Sequence, residues 1–280
     1  MQERPVAVHV GARTKLTPGA GFATVNGLRV YYEVHGNHAG SVPLFLLHGG
    51  VGAGEMFEPL LPAIAEGRQA VAVHLQGHGH TADRDRPLRF EEMADDLAGL
   101  LTQLGIESAD LMGYSLGGAV SVQTAIRHPE SVRRLVIVST VIKRQGFYPE
   151  VLADMAQMGP ERARFMEQSP LSKLYPGKDW PGLFAKLPEL LQREYDWSKE
   201  FASLKLPVMA IYADADAIKP SHIVETWDAL GGGHRDAGLD GSDRPKSRLA
   251  ILPGKTHYDS LTYPGLAAMV ASFLDAPLSD

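Results

Sequence analysis

The chain has 280 residues, 44% hydrophobic and 21% charged, a balance typical of a soluble globular protein with one large core. Its formal net charge of -6 argues against a nucleic-acid partner, which would require a basic face. Because the chain contains no cysteine, disulfides, thiolate nucleophiles and cysteine-ligated zinc are excluded.

No stretch approaches the ~18 consecutive apolar residues that a membrane-spanning helix requires. No apolar segment suited to a secretory signal follows the first residues. We therefore expect a cytoplasmic protein without a membrane span, and its oligomeric state, monomer or homodimer, is left open. Residues 1–20 show no hydrophobic period and include Pro18 and Gly19, so we interpret them as an N-terminal arm.

Strand and helix patterns alternate along most of the remaining chain. The first signal is a hairpin, in which Asn26-Gly27 separates two β-prone runs. Further strands are predicted at 42–47, 70–75, 132–139, 206–212 and 249–252, and helices at 55–66, 90–104, 121–128 and 261–274. This alternation predicts an α/β fold, with a mostly parallel sheet covered by helices on both faces.

The sequence Gly-Tyr-Ser-Leu-Gly at 113–117 ends an apolar run and precedes a helical pattern. We interpret it as strand, sharp turn and helix, with Ser115 at the tip of the turn. Gly113 and Gly117 suit this geometry because a Cβ atom would collide where strand and helix approach each other. The N–H of Leu116 would then be available to bind an oxyanion. A glycine-rich turn without chemistry is the alternative interpretation of this motif.

The glycine-rich segment 48–54 follows a buried strand and has three interpretations. A phosphate loop is disfavoured because the segment lacks a Gly-Lys-Ser/Thr ending. A plain flexible turn is the second interpretation. In the third, the N–H of Gly50 or Val51 faces the N–H of Leu116 across an oxyanion hole, where bare backbone lets a substrate carbonyl approach.

A metal site is a further hypothesis, raised by His78, His80 and Asp83. The spacing does not match the His-x-His-x-Asp-His pattern of dinuclear zinc hydrolases, since Asp83 comes one place late and Arg84 follows it. We therefore expect a structural turn with partly buried histidines and no metal.

The alternation of strands and helices stops at residues 141–203, where no convincing strand occurs and aromatic residues and methionines are frequent. We interpret this stretch as a helical cap over the sheet, inserted into a core formed by 21–140 and 204–280. Some apolar side chains of the cap should face the cleft, because thioethers adapt to irregular apolar ligands.

Ser115, Asp216 and His257 each follow the end of a predicted parallel strand, at the edge where ligands bind in open α/β sheets. A serine nucleophile needs a base, and the histidine base needs a carboxylate that fixes its tautomer. Asp214 is the alternative acid. Asp259 is interpreted as a surface or helix-capping residue.

Together these motifs resemble the α/β-hydrolase family over residues 21–274. The resemblance is carried by Gly-Tyr-Ser-Leu-Gly-Gly around Ser115, His48-Gly49-Gly50, Gly77-His78-Gly79, Asp216, and Pro-Gly-x-x before His257. It is closest to the esterase, lactonase and C–C hydrolase members that carry a helical cap.

The resemblance implies a Ser-Asp-His triad, no metal or other cofactor, and a cap inserted after the sixth strand, as at 141–203. It favours Asp216 over Asp214 as the acid. Two positions depart from the family pattern, His74 where many relatives carry Asp and Gln76 where they carry Arg.

These observations lead to the expectation of a carboxylesterase-like serine hydrolase acting on an ester of a small, fairly hydrophobic molecule. A lactonase, a C–C bond hydrolase and, from a different class, a ligand receptor without turnover are the alternatives. The residues expected to contact substrate are Val51, Tyr114, Met155, Met158 and Trp180.

Overall fold

The computed structural model describes residues 16–38 and 40–277. Its strands are β1 (Gly19–Val25), β2 (Leu28–His35), β3 (Leu44–Leu47), β4 (Ala70–Val73), β5 (Ala109–Tyr114), β6 (Val132–Val138), β7 (Val208–Ala215) and β8 (Arg248–Thr256). They form one sheet in the order β1-β2-β4-β3-β5-β6-β7-β8. Strand β2 pairs antiparallel with β1 and β4, and all other neighbours are parallel, so the predicted mostly parallel sheet is confirmed.

The helices of the described residues are α1 (Leu61–Ala65), α2 (Phe90–Gln103), α3 (Leu116–Arg127), α4 (Pro149–Ala156), α5 (Pro160–Glu167), α6 (Pro170–Leu174), α7 (Trp180–Gln192), α8 (Ser198–Ala202), α9 (Pro220–Ala229) and α10 (Leu266–Leu274). Short 3₁₀ turns occur at Gly54–Phe57, Pro129–Ser131, Arg144–Gly146 and Ser260–Thr262. Proline opens α4, α5, α6 and α9, where its fixed φ suits the first helical turn and its missing N–H is not needed. Within the described part of the chain, no helix is long and apolar enough to cross a bilayer.

Strand β3 shows how the sheet separates two apolar layers. Phe45 and Leu47 pack in the layer that contains α2 and α3, whereas Leu44 and Leu46 pack against α1 and α10. Side chains of successive strand residues point to opposite faces, so four consecutive apolar residues fill both layers. Helices therefore cover both faces of the sheet.

The hairpin at Asn26-Gly27 forms as predicted, with Val25 paired to Leu28. Both turn residues have positive φ, 49° for Asn26 and 76° for Gly27, which a two-residue hairpin turn requires. Of the predicted N-terminal arm, residues 1–15 lie outside the described residues. Leu16 is buried, with its N–H donating to Gln69 Oε1 at 3.0 Å, and β1 begins at Gly19.

Three predicted elements have different bounds in the structure. The helix expected at 55–66 is a 3₁₀ turn followed by the short α1, because the Pro59 ring cannot follow a continuous helical turn. Strand β8 runs through Pro253, which is tolerated because β8 is the edge strand of the sheet. The closing helix begins at Leu266 rather than 261, since Pro264 and Gly265, at φ 88°, interrupt it.

Helices α4 to α8 lie between β6 and β7 in the sequence, where the described residues contribute only isolated bridges, at Lys143 with Asp196 and at Phe147 with Ile218. Helix α7 packs against both α4 and α5. Its buried residues Leu183, Phe184 and Leu187 join the same apolar layer as α2 and α3. This helical segment is thereby anchored to the sheet.

Candidate active site

Ser115 lies in the turn between β5 and α3, with φ 51° and ψ -114°. This strained conformation is the geometry of a nucleophile turn, in which the serine side chain projects from the sheet edge. The turn is possible because Gly113 and Gly117 lack side chains. A Cβ atom on Gly113 would overlap Gly117 O, and one on Gly117 would overlap Leu47 O and lie 2.5 Å from His48 O.

Ser115, His257 and Asp216 form a continuous chain of hydrogen bonds. Ser115 Oγ lies 3.0 Å from His257 Nε2, and His257 Nδ1 lies 2.8 Å from Asp216 Oδ1. With the proton on Nδ1, the imidazole donates to the carboxylate and leaves Nε2 free to accept from the serine hydroxyl. This is the tautomer that a general base for serine requires.

Asp216 is held by two further donors. Ser139 Oγ donates to Asp216 Oδ2 at 2.6 Å, and the Ala213 N–H donates to the same oxygen at 3.0 Å. Burial raises the pKa of Asp216, but the hydrogen bond and charge of His257 and these two donors outweigh it and leave the pKa below its ordinary value. The carboxylate therefore stays ionised at neutral pH.

Ser139 was missed as a site residue in the sequence. It follows β6 directly and, like Ser115, has a positive φ, 49°. Its place at the carboxyl end of a strand neighbouring β5 is the signal that could have identified it.

The two other acidic candidates near the triad have local backbone roles. Asp214 accepts hydrogen bonds from the N–H groups of Gly254 at 2.9 Å and Lys255 at 3.2 Å. Asp259 is the residue before a 3₁₀ turn and accepts from Thr256 N at 2.7 Å. Neither contact involves His257, whose carboxylate partner in the structure is Asp216.

The side chain of His257 is also enclosed by aromatic groups. The Tyr114 hydroxyl donates to His257 O at 2.6 Å, and its ring lies 5.6 Å from the imidazole. The rings of Phe147 and Tyr258 lie 6.4 Å and 5.4 Å from it. These contacts restrict the loop after β8, and His257 is buried.

The segment His48-Gly49-Gly50 turns past Ser115 at the end of β3. His48 Nδ1–H donates to Gly49 O at 2.8 Å, and the Leu75 N–H donates to His48 Nε2 at 3.1 Å, which fixes the start of the segment. Burial lowers the pKa of His48 to about 4, so the ring is neutral at pH 7. Val51, a β-branched residue, takes the strained φ of 68°.

A cavity of about 380 Å³ opens at the triad. Ser115, His257, Gly49, Gly50 and Leu116 form one end of it. Since Leu116 is the first residue of α3, its N–H has no acceptor within the helix. The rest of the lining is mostly apolar and aromatic: Met56, Phe90, Tyr114, Ala119, Val141, Phe147, Val151, Met155, Met158, Leu191, Tyr195, Ala217 and Tyr258.

Of the residues expected to contact substrate, the structure places Tyr114, Met155 and Met158 at this cavity. Val51 packs against the core beside it and is not part of the lining. Trp180 is buried in the apolar layer at the start of α7, away from the lining. Asp154 and Arg162, which form an ion pair at 2.5 Å, do line the cavity and were not expected.

The histidines near the glycine turn after β4 are structural. Of the two histidines expected to be partly buried, His78 is buried and His80 is exposed. His74, directly after β4, is buried as well, and burial lowers its pKa to about 3. The two ring nitrogens of His74 face the N–H groups of Gly54 at 3.1 Å and His80 at 3.0 Å, and a neutral imidazole can accept only one of these bonds. Within residues 16–38 and 40–277, no cluster of acidic and histidine side chains could hold a metal ion.

Gln76, the second departure from the family pattern, also has a structural role. Its Nε2 donates to Asp83 Oδ1 at 2.7 Å, and Arg86 Nε donates to its Oε1 at 2.6 Å. The side chain therefore ties together the loop that follows β4, and it is not among the cavity-lining residues.

Comparison with known proteins agrees with this architecture. A family model described as alpha/beta hydrolase fold matches residues 42–173, which span β3 to α6. The chain has the α/β-hydrolase fold, and its sequence is similar to members of that family. A pimeloyl-[acyl-carrier protein] methyl ester esterase of Neisseria meningitidis is 27% identical over 259 residues, covering 84% of this chain and 93% of the relative.

Two further similarities show the breadth of the proteins that this chain resembles. A 2-hydroxymuconate semialdehyde hydrolase of a Pseudomonas species is 37% identical over 112 residues, 39% of each chain. The crystal structure of MGS-M2, an α/β-hydrolase from a deep-sea metagenome library, superposes with a TM-score of 0.75 at 18% identity, covering 93% of this chain and 99% of that one. The superposition concerns the fold alone.

Proposed function

We propose that this α/β-hydrolase is a serine esterase that cleaves the carboxylic ester of a small, hydrophobic substrate through an acyl-enzyme on Ser115. The observation that carries this proposal is the hydrogen-bond chain from Ser115 through His257 to Asp216 at one end of an apolar cavity. A serine, rather than an aspartate, at the tip of the turn argues against dehalogenase and epoxide hydrolase chemistry.

In the first half of the proposed reaction, Ser115 Oγ attacks the ester carbonyl carbon while His257 Nε2 takes the hydroxyl proton. Asp216 stabilises the imidazolium, and the N–H groups of Gly50 and Leu116 bind the oxyanion. Collapse of the tetrahedral intermediate breaks the bond to the alcohol oxygen, which receives the proton from His257. The alcohol leaves and the acyl group remains on Ser115.

In the second half, a water molecule gives a proton to His257 Nε2 and attacks the acyl carbon. The new tetrahedral intermediate collapses with return of the proton to Ser115 Oγ, and the carboxylic acid leaves. No other reactant is needed, so the residues at the cavity account for the whole cycle without a cofactor.

An uncharged substrate fits the polarity of the cavity. Arg162 is the sole lysine or arginine among the described residues that line it, and its guanidinium is paired with Asp154. Hydrolysis of a C–C bond in a diketone-like acid, the alternative reaction, usually requires a cation for the substrate carboxylate. The paired state of Arg162 therefore favours the ester over that alternative, and a lactone is the closer competitor.

The test is hydrolysis of p-nitrophenyl esters from acetate to decanoate, measured beside acyl-homoserine lactones. We expect ester turnover with an optimum at one chain length, and a loss of at least ~10³-fold in kcat for Ser115→Ala with unchanged thermal stability. Activity on lactones alone would reassign the protein as a lactonase.

A folded Ser115→Ala protein that turned over esters at the parent rate would refute the acyl-enzyme. If the parent protein bound these compounds without turnover, the ligand receptor would replace the enzyme. Turnover distinguishes an enzyme from a receptor, because a receptor with the same fold can retain Ser115, Asp216 and His257.

A further inference from the structure

A second pocket, of about 460 Å³, lies on the opposite edge of the sheet from the candidate active site. Arg134 lies near the start of β6, Pro207 precedes β7 and Arg248 begins β8, so these residues mark the amino ends of three parallel strands. Ser115 and His257, in contrast, lie beyond the carboxyl ends of β5 and β8. We name this the amino-edge pocket.

The amino-edge pocket is strongly cationic in a protein whose formal net charge is -6. Its lining includes five cationic side chains and no aspartate or glutamate among the described residues, the cations being Arg134, Lys205, Arg244, Lys246 and Arg248. Arg134 is almost completely buried, and Arg248 is half-buried. Such a concentration of one sign of charge attracts anions.

The two carboxylates that act electrostatically on Arg134, Asp110 and Asp275, form ion pairs with other arginines. Asp110 accepts from Arg133 Nε at 2.8 Å and faces Arg68 at 3.4 Å, and Asp275 pairs with Arg68. Arg134 itself donates to the backbone carbonyls of Leu274 and Ala276. Burial and the neighbouring guanidinium of Arg133 lower the pKa of Arg134, consistent with a cation that lacks full compensation.

The remaining cations come from separate segments that converge on the pocket. Lys205 precedes β7, whereas Arg244 and Lys246 belong to the loop before β8. The guanidinium carbons of Arg134 and Arg248 each lie 5.8 Å from the centre of the Phe273 ring, which restricts both side chains. No ion pair engages Lys205, Arg244, Lys246 or Arg248 within the described part of the chain.

We propose that the amino-edge pocket binds a small molecule that carries a diphosphate group. Guanidinium groups match the paired oxygens of phosphates, and two linked phosphates supply enough negative charge for several converging cations. The volume exceeds that of a single phosphate, which favours the larger anion. Because the pocket lies on the other edge of the sheet, occupation leaves the cavity at Ser115 open.

Isothermal titration calorimetry with inorganic pyrophosphate at low ionic strength tests the proposal. We expect saturable binding of one pyrophosphate per chain, tighter than that of inorganic phosphate and weakened by added salt. The double variant Lys205→Gln/Lys246→Gln should weaken pyrophosphate binding by at least about tenfold, since it removes two exposed cations. Arg248→Gln should weaken it as well.

The matched control is Arg164→Gln/Lys173→Gln, which removes the same charge from exposed positions on α5 and α6. It should leave pyrophosphate affinity within about twofold, as expected when screened distant charges contribute little. Absence of saturable binding, or an equal loss in the two double variants, would overturn the proposal. Ester hydrolysis should be unchanged in both, so failure of the amino-edge pocket and failure of the esterase assignment give different results.

Discussion

Two groups of residues around the cavity at Ser115 differ in how firmly they are held. The first group, which we call the floor, consists of Ser115, Ser139, Asp216 and His257 and is joined by hydrogen bonds of 2.6 to 3.0 Å. The helical roof, defined as the cavity-lining side chains Val151, Met155, Met158 and Leu191, consists of half-buried apolar groups. Hydrogen bonds with narrow geometry fix the floor, whereas non-directional apolar contacts hold the roof.

This difference indicates separate roles for the two groups, chemistry for the floor and substrate preference for the roof. The floor depends on strained backbone at Ser115 and Ser139, which persists only because surrounding contacts enforce it. The roof consists of apolar side chains that can be exchanged for others of similar volume. Substitutions in the floor should therefore impair folding or chemistry, and substitutions in the roof should change substrate preference.

The largest effect is expected for Gly117→Ala. The added Cβ would overlap Leu47 O and approach His48 O to 2.5 Å, and both contacts are with backbone that cannot rotate aside. We expect a loss of about 3 kcal/mol or more in the free energy of unfolding, together with loss of ester hydrolysis. Urea denaturation followed by circular dichroism measures the first quantity.

Gly67→Ala is the control for this substitution, because its Cβ would meet nothing within 4 Å. Its free energy of unfolding should stay within about 0.5 kcal/mol of the parent. Equal stability of the two variants would show that the turn at Ser115 is not enforced by close packing.

The effect of pH on stability through His48, directly after β3, comes next in size. Burial lowers the pKa of His48 in the folded protein to about 4, while an unfolded histidine titrates near its ordinary value of 6.5. Between these values unfolding takes up a proton, so this contribution to stability is complete above pH 6.5 and is lost as the pH falls toward 4. From pH 7 to pH 5 we expect a loss of about 2 kcal/mol from this residue alone.

His48→Gln should reduce that pH dependence, because the amide can accept from Leu75 N and donate to Gly49 O without titrating. His234→Gln, at an exposed histidine, should leave it unchanged. Urea midpoints at both pH values provide the comparison. A parent protein equally stable at pH 7 and pH 5 would contradict a neutral, buried His48.

Ser139→Ala should act on chemistry more than on stability. It removes one of the donors to Asp216 Oδ2, which raises the pKa of Asp216 and loosens the carboxylate that positions His257. We expect kcat to fall about tenfold with little change in KM, since Ser139 is not among the residues that line the cavity. Steady-state kinetics on p-nitrophenyl butyrate measures both constants.

Ser203→Ala provides the matched control, since its hydroxyl is exposed and bonds only backbone carbonyls of α8. It should retain the parent kcat. A Ser139→Ala protein with the parent kcat, or one with a selective rise in KM, would argue against a positioning role.

Much of the floor could be predicted because its determinants are local. The glycines around Ser115 indicate, from the sequence alone, a tight turn in which side chains would collide. The order of the strands places His257 and the acids at one edge of the sheet. The choice between Asp214 and Asp216 as the acid, in contrast, depends on tertiary packing and not on the local sequence. Asp214 lies at the carboxyl end of β7 and Asp216 directly after it, and the packing of the loops after β7 and β8 directs Asp214 toward Gly254 and Asp216 toward His257.

The roof was harder to predict, because the side of a short helix that faces a cavity is set by tertiary packing. Met155 and Met158 line the cavity, whereas Trp180, with similar apolar character, is buried in the apolar layer instead. Pro59, in contrast, was a signal present in the sequence that should have ended the helix expected at 55–66.

The smallest effect, and the one that tests the roof directly, is expected for Met158→Ala. Removing this thioether side chain widens the cavity, so kcat/KM for decanoate should rise about threefold relative to acetate, the gain expected when roughly one more methylene is accommodated. Met166→Ala is the control, since Met166 is half-buried but does not line the cavity, and its chain-length profile should match the parent's. If Met158→Ala instead lowered kcat for every ester equally, Met158 would support the floor, and the division between a fixed floor and an adaptable roof would fail at this residue.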